Sequence, residues 1–218
     1  RQIEVKALSL TTRVCGHTGI AYFQLEVGSL TGARIDSVEL RLERDGSEYV
    51  LLLEHPENVN ANVYAGEVEI DAVDLWWPHT HGVAALYNAS VKIRIAGVLE
   101  SASLDLGSVG FRTISLDTSD AGFSLSINGV PVFCRGAVWT PLDVVTLRST
   151  ASEYDKAIEQ ACAAGMNMLR IAGTMVYEED HFFDACNKHG MMVWQDFMFA
   201  NMDYPSDDME FQRVIEDE

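Results

Sequence analysis

Apolar and polar residues alternate with a period of about two through the first half of the chain. Turn-forming stretches such as "RDGS" and "HPENVNAN" separate the alternating runs. This period indicates strands with one buried face, and short strands at this spacing are typical of a β-sandwich. We therefore predict an immunoglobulin-like β-sandwich over residues 1–113. The runs lie at 20–28, 37–44, 48–55, 63–70, 87–97 and 100–112.

The pattern changes in the second half, residues 114–218. Asn128-Gly129 separates two apolar runs, which predicts a two-residue β-hairpin. The stretch "TASEYDKAIEQACAAGM" then has a helical period, with Thr150 or Ser152 as its N-cap and Gly165 just past its end.

Strands and helices alternate after this helix. "NMLRIAG" reads as a buried strand, "YEEDHFFDACNKHG" as a second helix ending at Gly190, and "MMVWQDF" as a third strand. The order β-α-β-α-β is typical of a parallel sheet. A closed (β/α)8 TIM barrel needs ~250 residues. We therefore expect residues 114–218 to be the incomplete N-terminal portion of such a barrel, with an open three-layer sheet as the alternative.

Polar and aromatic side chains cluster where the three predicted strands end. In parallel α/β folds these ends carry the functional sites. An indole ring suits the C–H face of a sugar, and charged groups suit its hydroxyls, so the cluster predicts a sugar-binding site. Its candidate substrate-binding residues are Trp139, Asp143, Arg170, Trp194, Gln195 and Asp196.

Plainer interpretations of these residues remain open. Trp194 suits a core position equally well, and Trp139, which precedes Thr140-Pro141, suits a plug in the barrel. Arg170 and Asp196 could form a buried ion pair at the barrel mouth, with or without sugar contact.

Other polar residues favour structural roles. Glu178, Glu179 and Asp180 are interpreted as first-turn helix acids stabilised by the helix dipole. His79 and His81 are interpreted as a solvated turn, and no metal or other cofactor is expected.

Composition narrows the possible partners. The 218 residues include 15 Lys and Arg against 33 Asp and Glu, a formal net charge of −18. That charge repels phosphate backbones and anionic lipids, so neither nucleic acid nor membrane is an expected partner. The scattered cysteines predict buried free thiols, which slightly favour a reducing, cytoplasmic compartment. They are Cys15, Cys134, Cys162 and Cys186.

Long stretches of the chain, from about residue 70 to 213, resemble glycoside hydrolase family 2, most of all its β-mannosidases. "INGVPVFCRGAVWTPLD" and "AGMNMLRIAGTMVYEEDHFFDACNKHGMMVWQDFMFANMDYPSDD" resemble the start of that family's catalytic barrel. "LWWPHTHGVAALYNASVKI" and "VGFRTISLD" resemble the immunoglobulin-like sandwich that precedes it.

The resemblance implies retaining hydrolysis of non-reducing-end β-mannosides by two glutamates. In the family one glutamate follows the fourth barrel strand and the other follows the seventh. We therefore expect no catalytic residue in this chain, which would be an inactive central fragment lacking its true N-terminus. Its partner would be a β-linked sugar, and an incomplete barrel could self-associate through its open strand edges.

Position by position, Arg170 and Trp194-Gln195-Asp196 coincide with site-wall positions of the family, and Trp139 with an aromatic of its Gly-Ala/Ser-Asn-Trp segment. Two departures bear on the sugar. Val138 stands where the family usually has Asn, and "RIAGTMVYE" replaces a more usual Arg-x-Trp-Gly-Gly-Gly. A β-glucosaminidase, β-galactosidase or β-glucuronidase is therefore an alternative, and a non-catalytic module that binds carbohydrate or protein is another.

Overall fold

A computed structural model of the chain describes residues 3–30, 32, 34–54, 63–99, 101–119 and 122–217. Packing divides the chain into two compact units. The sandwich unit comprises Arg1–Cys134 with Asn187–Gly190, and the α/β unit comprises Arg135–Cys186 with Met191–Glu218. A domain division at residues 113/114 stays a prediction.

Two antiparallel sheets form the body of the sandwich unit. One has the strand order β1-β2-β5 and the other β4-β3-β6-β7. The strands are β1 (Ile3–Cys15), β2 (Thr18–Ser29), β3 (Ile35–Arg44), β4 (Ser47–Glu54), β5 (Val63–Ile70), β6 (Tyr87–Ile95) and β7 (Ala102–Val109).

The core of the sandwich unit is built from the inward-facing residues of both sheets. Phe23 of one sheet and Leu40 and Val91 of the other are fully buried members of one cluster. Buried and non-buried positions alternate along β6, as the two-residue period predicts. The predicted β-sandwich is therefore confirmed.

Strand β1 was not among the predicted runs. It lies at the edge of its sheet, and each of its residues is exposed or only partly buried. An edge strand with little burial has a weak hydrophobic period, so the pattern gave no signal there.

A third small sheet, with the order β10-β9-β8, carries the predicted hairpin. Asn128 and Gly129 have φ of 51° and 77°, which are values of a type I′ turn and which Asn and Gly adopt most readily. The hairpin prediction is therefore confirmed. The strands are β8 (Ile114–Asp117), β9 (Ser124–Ile127) and β10 (Val130–Pro131).

The α/β unit holds a parallel sheet with the order β11-β12-β13, and its strands alternate with helices. The β-α-β-α-β order is thus confirmed. The elements are β11 (Gly136–Trp139), α1 (Ala151–Ala163), β12 (Met168–Ile171), α2 (Asp180–His189), β13 (Met192–Gln195) and α3 (Met209–Asp217).

Local chemistry sets the ends of α1. Of the two candidate N-caps it is Thr150 that accepts a hydrogen bond from the Glu153 N–H, and the Glu153 side chain completes a capping box. Gly165 follows the helix with a φ of 81°, the left-handed conformation that a glycine adopts without strain.

The two faces of the parallel sheet differ. On one face Leu169 and Ile171 of β12 pack in a buried cluster with Ile158 of α1 and Phe182 of α2. On the other, Val138, Arg170 and Trp194 lie in register across the three strands and are exposed. The sheet therefore has one face covered by helices and one open face.

All four cysteines are free thiols, as predicted. Cys186 is buried, and desolvation raises the pKa of its thiol to about 12. Cys134 and Cys162 are only partly buried and Cys15 is exposed, so the expectation of burial is confirmed for Cys186 alone.

Within the described residues no helix is long and apolar enough to cross a lipid bilayer.

Candidate functional site

The central feature of the open sheet face is an ion pair between neighbouring strands. Arg170 Nη2 lies 2.7 Å from Asp196 Oδ2, and Arg170 Nε lies 3.2 Å from Asp196 Oδ1. Two parallel N–H donors on one carboxylate make a bidentate, charge-assisted contact. The hydrogen bonds from Arg170 hold the pKa of Asp196 below its ordinary value. The predicted pair exists, but the Arg170 side chain is 54% exposed and so is not buried.

Two further groups hold the Asp196 carboxylate. The Trp194 side chain and the backbone N–H of Gly173 both donate hydrogen bonds to it, and each adds to the lowering of its pKa. The backbone at Gly173 lies so close to Phe197 that a Cβ at that position would overlap the Phe197 carbonyl oxygen. The carboxylate is therefore anionic and fixed in direction at neutral pH.

A pocket of about 290 Å³ opens beside this carboxylate, lined by Tyr177, Gln195, Asp196 and Phe197. The Gln195 side-chain amide donates to the Asp196 backbone carbonyl at 2.8 Å. The wall thus combines two aromatic rings with an amide and a carboxylate. Such a mixture fits a small ligand that has both hydroxyl groups and C–H faces.

Trp139 does not share the open face with these residues. It is only 8% exposed and packs in the helix-covered cluster against Tyr154 and Phe182. Its indole Nε1–H donates to Glu178 Oε1 at 2.7 Å. Sugar contact by Trp139 stays a prediction that this burial does not favour.

Glu178 was not among the residues that the sequence predicted to form the site. Helix α2 begins at Asp180, so the first-turn interpretation is confirmed for Asp180 and is wrong for Glu178 and Glu179. The Glu178 side chain is buried and also accepts a hydrogen bond from the Tyr154 hydroxyl at 2.6 Å. The pKa of Tyr154 is raised well above its ordinary value. Burial is the largest cause, and the hydrogen bond to Glu178 is the second largest. The donors lie 39 and 24 residues away in sequence, so no local pattern could have revealed them.

The structure does not bring Asp143 to the pocket lining. Its carboxylate accepts from the backbone N–H groups of Val145 and Thr146 at 2.8 and 3.2 Å, a local turn. These bonds lower the pKa of Asp143. Substrate binding by Asp143 stays a prediction, and the contacts present organise the loop after β11.

Among the described residues no group of three His, Cys, Asp or Glu side chains could hold a metal ion.

Comparisons with known proteins find β-mannosidases among the relatives of this chain. The chain is 38% identical over 141 residues to the β-mannosidase of Bos taurus, which covers 62% of the chain and 16% of that protein. It is 39% identical over 146 residues to β-mannosidase B of Aspergillus oryzae, covering 63% of the chain and 17% of that protein. No family model matches the sequence.

Solved structures agree with the sequence relatives. A β-D-mannosidase from Dictyoglomus thermophilum superposes with a TM-score of 0.79 at 27% identity, covering 99% of this chain and 27% of the other. A β-glucuronidase from Parabacteroides merdae has a TM-score of 0.74 over 90% of this chain and 24% of its own. At 16% identity this second likeness concerns the fold alone.

In sequence and fold the chain is therefore similar to glycosidases. Within that class it is β-mannosidase-like, because the relatives at 35–39% identity are β-mannosidases. The chain spans about one sixth of the length of these curated relatives, 16–17% in each case.

Proposed function

We propose that the chain is part of an exo-acting retaining β-mannosidase that hydrolyses non-reducing-end β-mannosides. In this proposal β11, β12 and β13 are the first strands of its TIM barrel, and the open face of the sheet turns toward the barrel interior. The parallel strand order and the in-register row of Val138, Arg170 and Trp194 support this arrangement. The three-strand and four-strand sheets of the sandwich unit support an immunoglobulin-like class for that part.

The observation that carries the proposal is the Asp196 carboxylate, held by Arg170 and Trp194 at the end of β13. A carboxylate oxygen accepts hydrogen bonds only, so it suits the hydroxyl groups of a pyranose ring. Arg170 neutralises its charge, so the pair offers no unpaired cation for a uronate and no unpaired anion for an amino sugar. This pairing favours a neutral sugar such as a mannoside over the glucuronide and glucosaminide alternatives.

The chemistry of retaining hydrolysis requires two carboxyl groups about 5–5.5 Å apart, one as acid/base and one as nucleophile. We assign neither role to a residue of this chain. The substrate-binding residues proposed are Arg170, Trp194, Gln195 and Asp196, with Trp139 and Asp143 in supporting positions. We therefore expect the purified 218-residue chain to hydrolyse no aryl glycoside by itself.

A panel of p-nitrophenyl glycosides tests the function in the full-length protein that carries this sequence. The panel comprises the β-D-mannoside, β-D-glucosaminide, β-D-galactoside and β-D-glucuronide. We expect the highest kcat/KM for the β-mannoside. Hydrolysis of another glycoside without hydrolysis of the mannoside would contradict the mannoside as the substrate and would still support a glycosidase.

A non-catalytic module is the remaining alternative, and sugar binding separates it from the enzyme. Calorimetric titration of the 218-residue chain with mannose and mannobiose, repeated with the Asp196→Ala variant, locates any binding. Binding that survives this substitution would favour a module that binds through its sandwich.

Self-association of the 218-residue chain is a further part of the proposal. Val138, Trp194 and Phe197 are 56%, 44% and 65% exposed, and unpaired parallel strands attract further chains. We expect light scattering to detect species larger than a monomer. A clean monomer at all concentrations would contradict this expectation.

A further inference from the structure

Tyr177 and Glu178 are adjacent in the chain and have opposite surroundings. Tyr177 is 42% exposed and lines the pocket beside Asp196. Glu178 is 8% exposed. Both belong to the segment of residues 172–179, which joins β12 to α2 and contains neither helix nor strand.

Hydrogen bonds hold this segment at both ends. At one end the Gly173 N–H donates to the Asp196 carboxylate. At the other, the two oxygens of Glu178 accept from Trp139 at 2.7 Å and from Tyr154 at 2.6 Å. Trp139 is the last residue of β11 and Tyr154 lies in α1, so Glu178 ties the segment to two separate elements.

Both donors to Glu178 are themselves fixed by packing. The rings of Trp139, Tyr154 and Phe182 lie 4.9–6.5 Å apart, centre to centre. A carboxylate with both oxygens engaged by such rings has one orientation, because any rotation would leave a buried polar group without its partner. The backbone of the preceding residue, Tyr177, is thereby restrained.

We propose that Tyr177 contacts the sugar and that Glu178 is the residue that positions it, an inference that rests on the proposed function. The Tyr177 ring offers an apolar face to the C–H groups of a neutral pyranoside, while Asp196 accepts from its hydroxyls. The Glu178 carboxylate acts only through Tyr177 and touches no substrate atom.

Tyr177→Ala tests the contact in the full-length protein. We expect the KM for the best p-nitrophenyl glycoside to rise about three- to tenfold, the range of one aromatic contact, with little change in kcat. Tyr177→Phe keeps the ring face and should stay within about twofold of wild type. A KM for Tyr177→Ala equal to that of wild type would overturn the proposal.

Glu178→Gln tests the positioning role through a double-mutant cycle. The amide keeps one acceptor and turns an N–H₂ toward the second donor, so one of the two bonds is lost. We expect KM to rise to a similar extent in the wild-type background and not to rise further in the Tyr177→Ala background. Equal and additive effects in both backgrounds would show a general structural role and overturn the positioning.

Glu179→Gln is the matched control. This adjacent carboxylate is exposed, lies 3.6 Å from Arg148 and makes no contact with the pocket lining that the structure records. Its substitution should leave KM and kcat unchanged. If Glu178→Gln does not fold, Tyr177→Ala decides alone, because Tyr177 is exposed and its truncation leaves no buried cavity.

The wild-type arm separates the two proposals. If the wild-type protein hydrolyses a glycoside and Tyr177→Ala behaves like wild type, this inference fails and the proposed function stands. If the wild-type protein hydrolyses none of the glycosides in the panel, the proposed function fails, and the proposed contact between Tyr177 and the sugar fails with it.

Discussion

Each of the two units of this molecule contains an arginine–carboxylate pair with the same N···O distance. Arg41 and Glu39 of β3 in the sandwich unit are 2.7 Å apart, and so are Arg170 and Asp196 in the α/β unit. The first pair lies within a single strand, at positions that alternate with buried Val38, Leu40 and Leu42. The second joins the ends of adjacent parallel strands and lies beside a pocket.

The comparison shows that location, not the ion pair itself, distinguishes the two sites. On the sandwich, Arg41 also pairs with Glu48 of the neighbouring strand, so these partly buried charges form a network on the sheet face opposite the core. In the α/β unit, Asp196 has an indole, a backbone N–H and a guanidinium as donors and lines a 290 Å³ pocket. Asp196 thus lines a pocket, and in the proposed function it would face the sugar.

The two units also differ in how completely they bury their apolar residues. The sandwich has one continuous cluster that includes Phe23, Leu40 and Val91 at 0% exposure. The parallel sheet buries one face and leaves Val138 and Trp194 about half exposed on the other. Substitutions in the sandwich core should therefore affect stability, whereas substitutions on the open face of the parallel sheet should affect ligand binding.

The largest stability effect is expected in the sandwich core. Phe23→Ala removes a fully buried ring and should lower the free energy of unfolding by about 3–5 kcal/mol. Leu52→Ala is the control, because Leu52 is 56% exposed and should cost less than about 0.5 kcal/mol. Urea denaturation followed by far-UV circular dichroism measures both. Equal effects would contradict the closed core.

Tyr154→Phe should have the next largest effect. It leaves the buried Glu178 carboxylate with one donor fewer, at a cost of about 1–3 kcal/mol. Tyr22→Phe is the control, since the Tyr22 hydroxyl bonds Gln24 at an exposed position. A loss no larger than that of Tyr22→Phe would argue that Glu178 is held by Trp139 alone.

The pH dependence of the Tyr154 effect has a definite sign. Because the pKa of Tyr154 is raised in the folded state, the contribution of its hydroxyl to stability is fully present below the ordinary tyrosine pKa of about 10. That contribution is lost as the pH rises through the folded value. The stability difference between wild type and Tyr154→Phe should therefore shrink in strong alkali, and a difference that grows would contradict the assignment.

Gly173→Ala should disturb the pocket at a comparable cost in stability. The new Cβ would meet the Phe197 carbonyl oxygen, so the segment after β12 must move, at about 1–3 kcal/mol. Gly28→Ala in β2 is the control, because the nearest atom to its Cβ would be in the flexible Lys6 side chain, at 3.1 Å. Thermal unfolding of both variants separates them, and equal melting temperatures would contradict the close approach.

Asp196→Asn should have the smallest effect on stability, because the pair is solvent-accessible and such pairs contribute little. Because the pKa of Asp196 is lowered in the folded state, the contribution of the ion pair to stability is present above the ordinary aspartate pKa of about 3.9. It is lost as the pH falls through the folded value. Unfolding curves of wild type and variant should therefore converge in acid, and a gap that widens there would be inconsistent with the pairing.

Much of the fold follows from local pattern. Alternation located the strands β2 to β7, and Asn128-Gly129 located a hairpin because few other residues adopt its left-handed φ values. The succession of periods after residue 135 indicated the parallel order of the last sheet. Strand β1 was missed because an exposed edge strand needs no hydrophobic face.

The site was less predictable. Arg170 and Asp196 could be placed together because they end adjacent parallel strands. The face on which Trp139 lies depends on the register of β11 against β12, which sequence does not state. Asp143 carried a usable signal, since an Asp opening a loop often bonds the N–H two residues on. Glu178 carried none, because its partners come from distant elements.

The most direct test of the central claim compares the two ion pairs in the full-length protein. Asp196→Ala and Glu39→Ala each break an arginine–carboxylate contact of 2.7 Å, and kcat/KM is measured for p-nitrophenyl β-D-mannoside. We predict a loss of about 10- to 100-fold for Asp196→Ala, the range for a charged hydrogen bond, and no change for Glu39→Ala. Equal values for the two variants would contradict the assignment of the sugar site to the α/β unit.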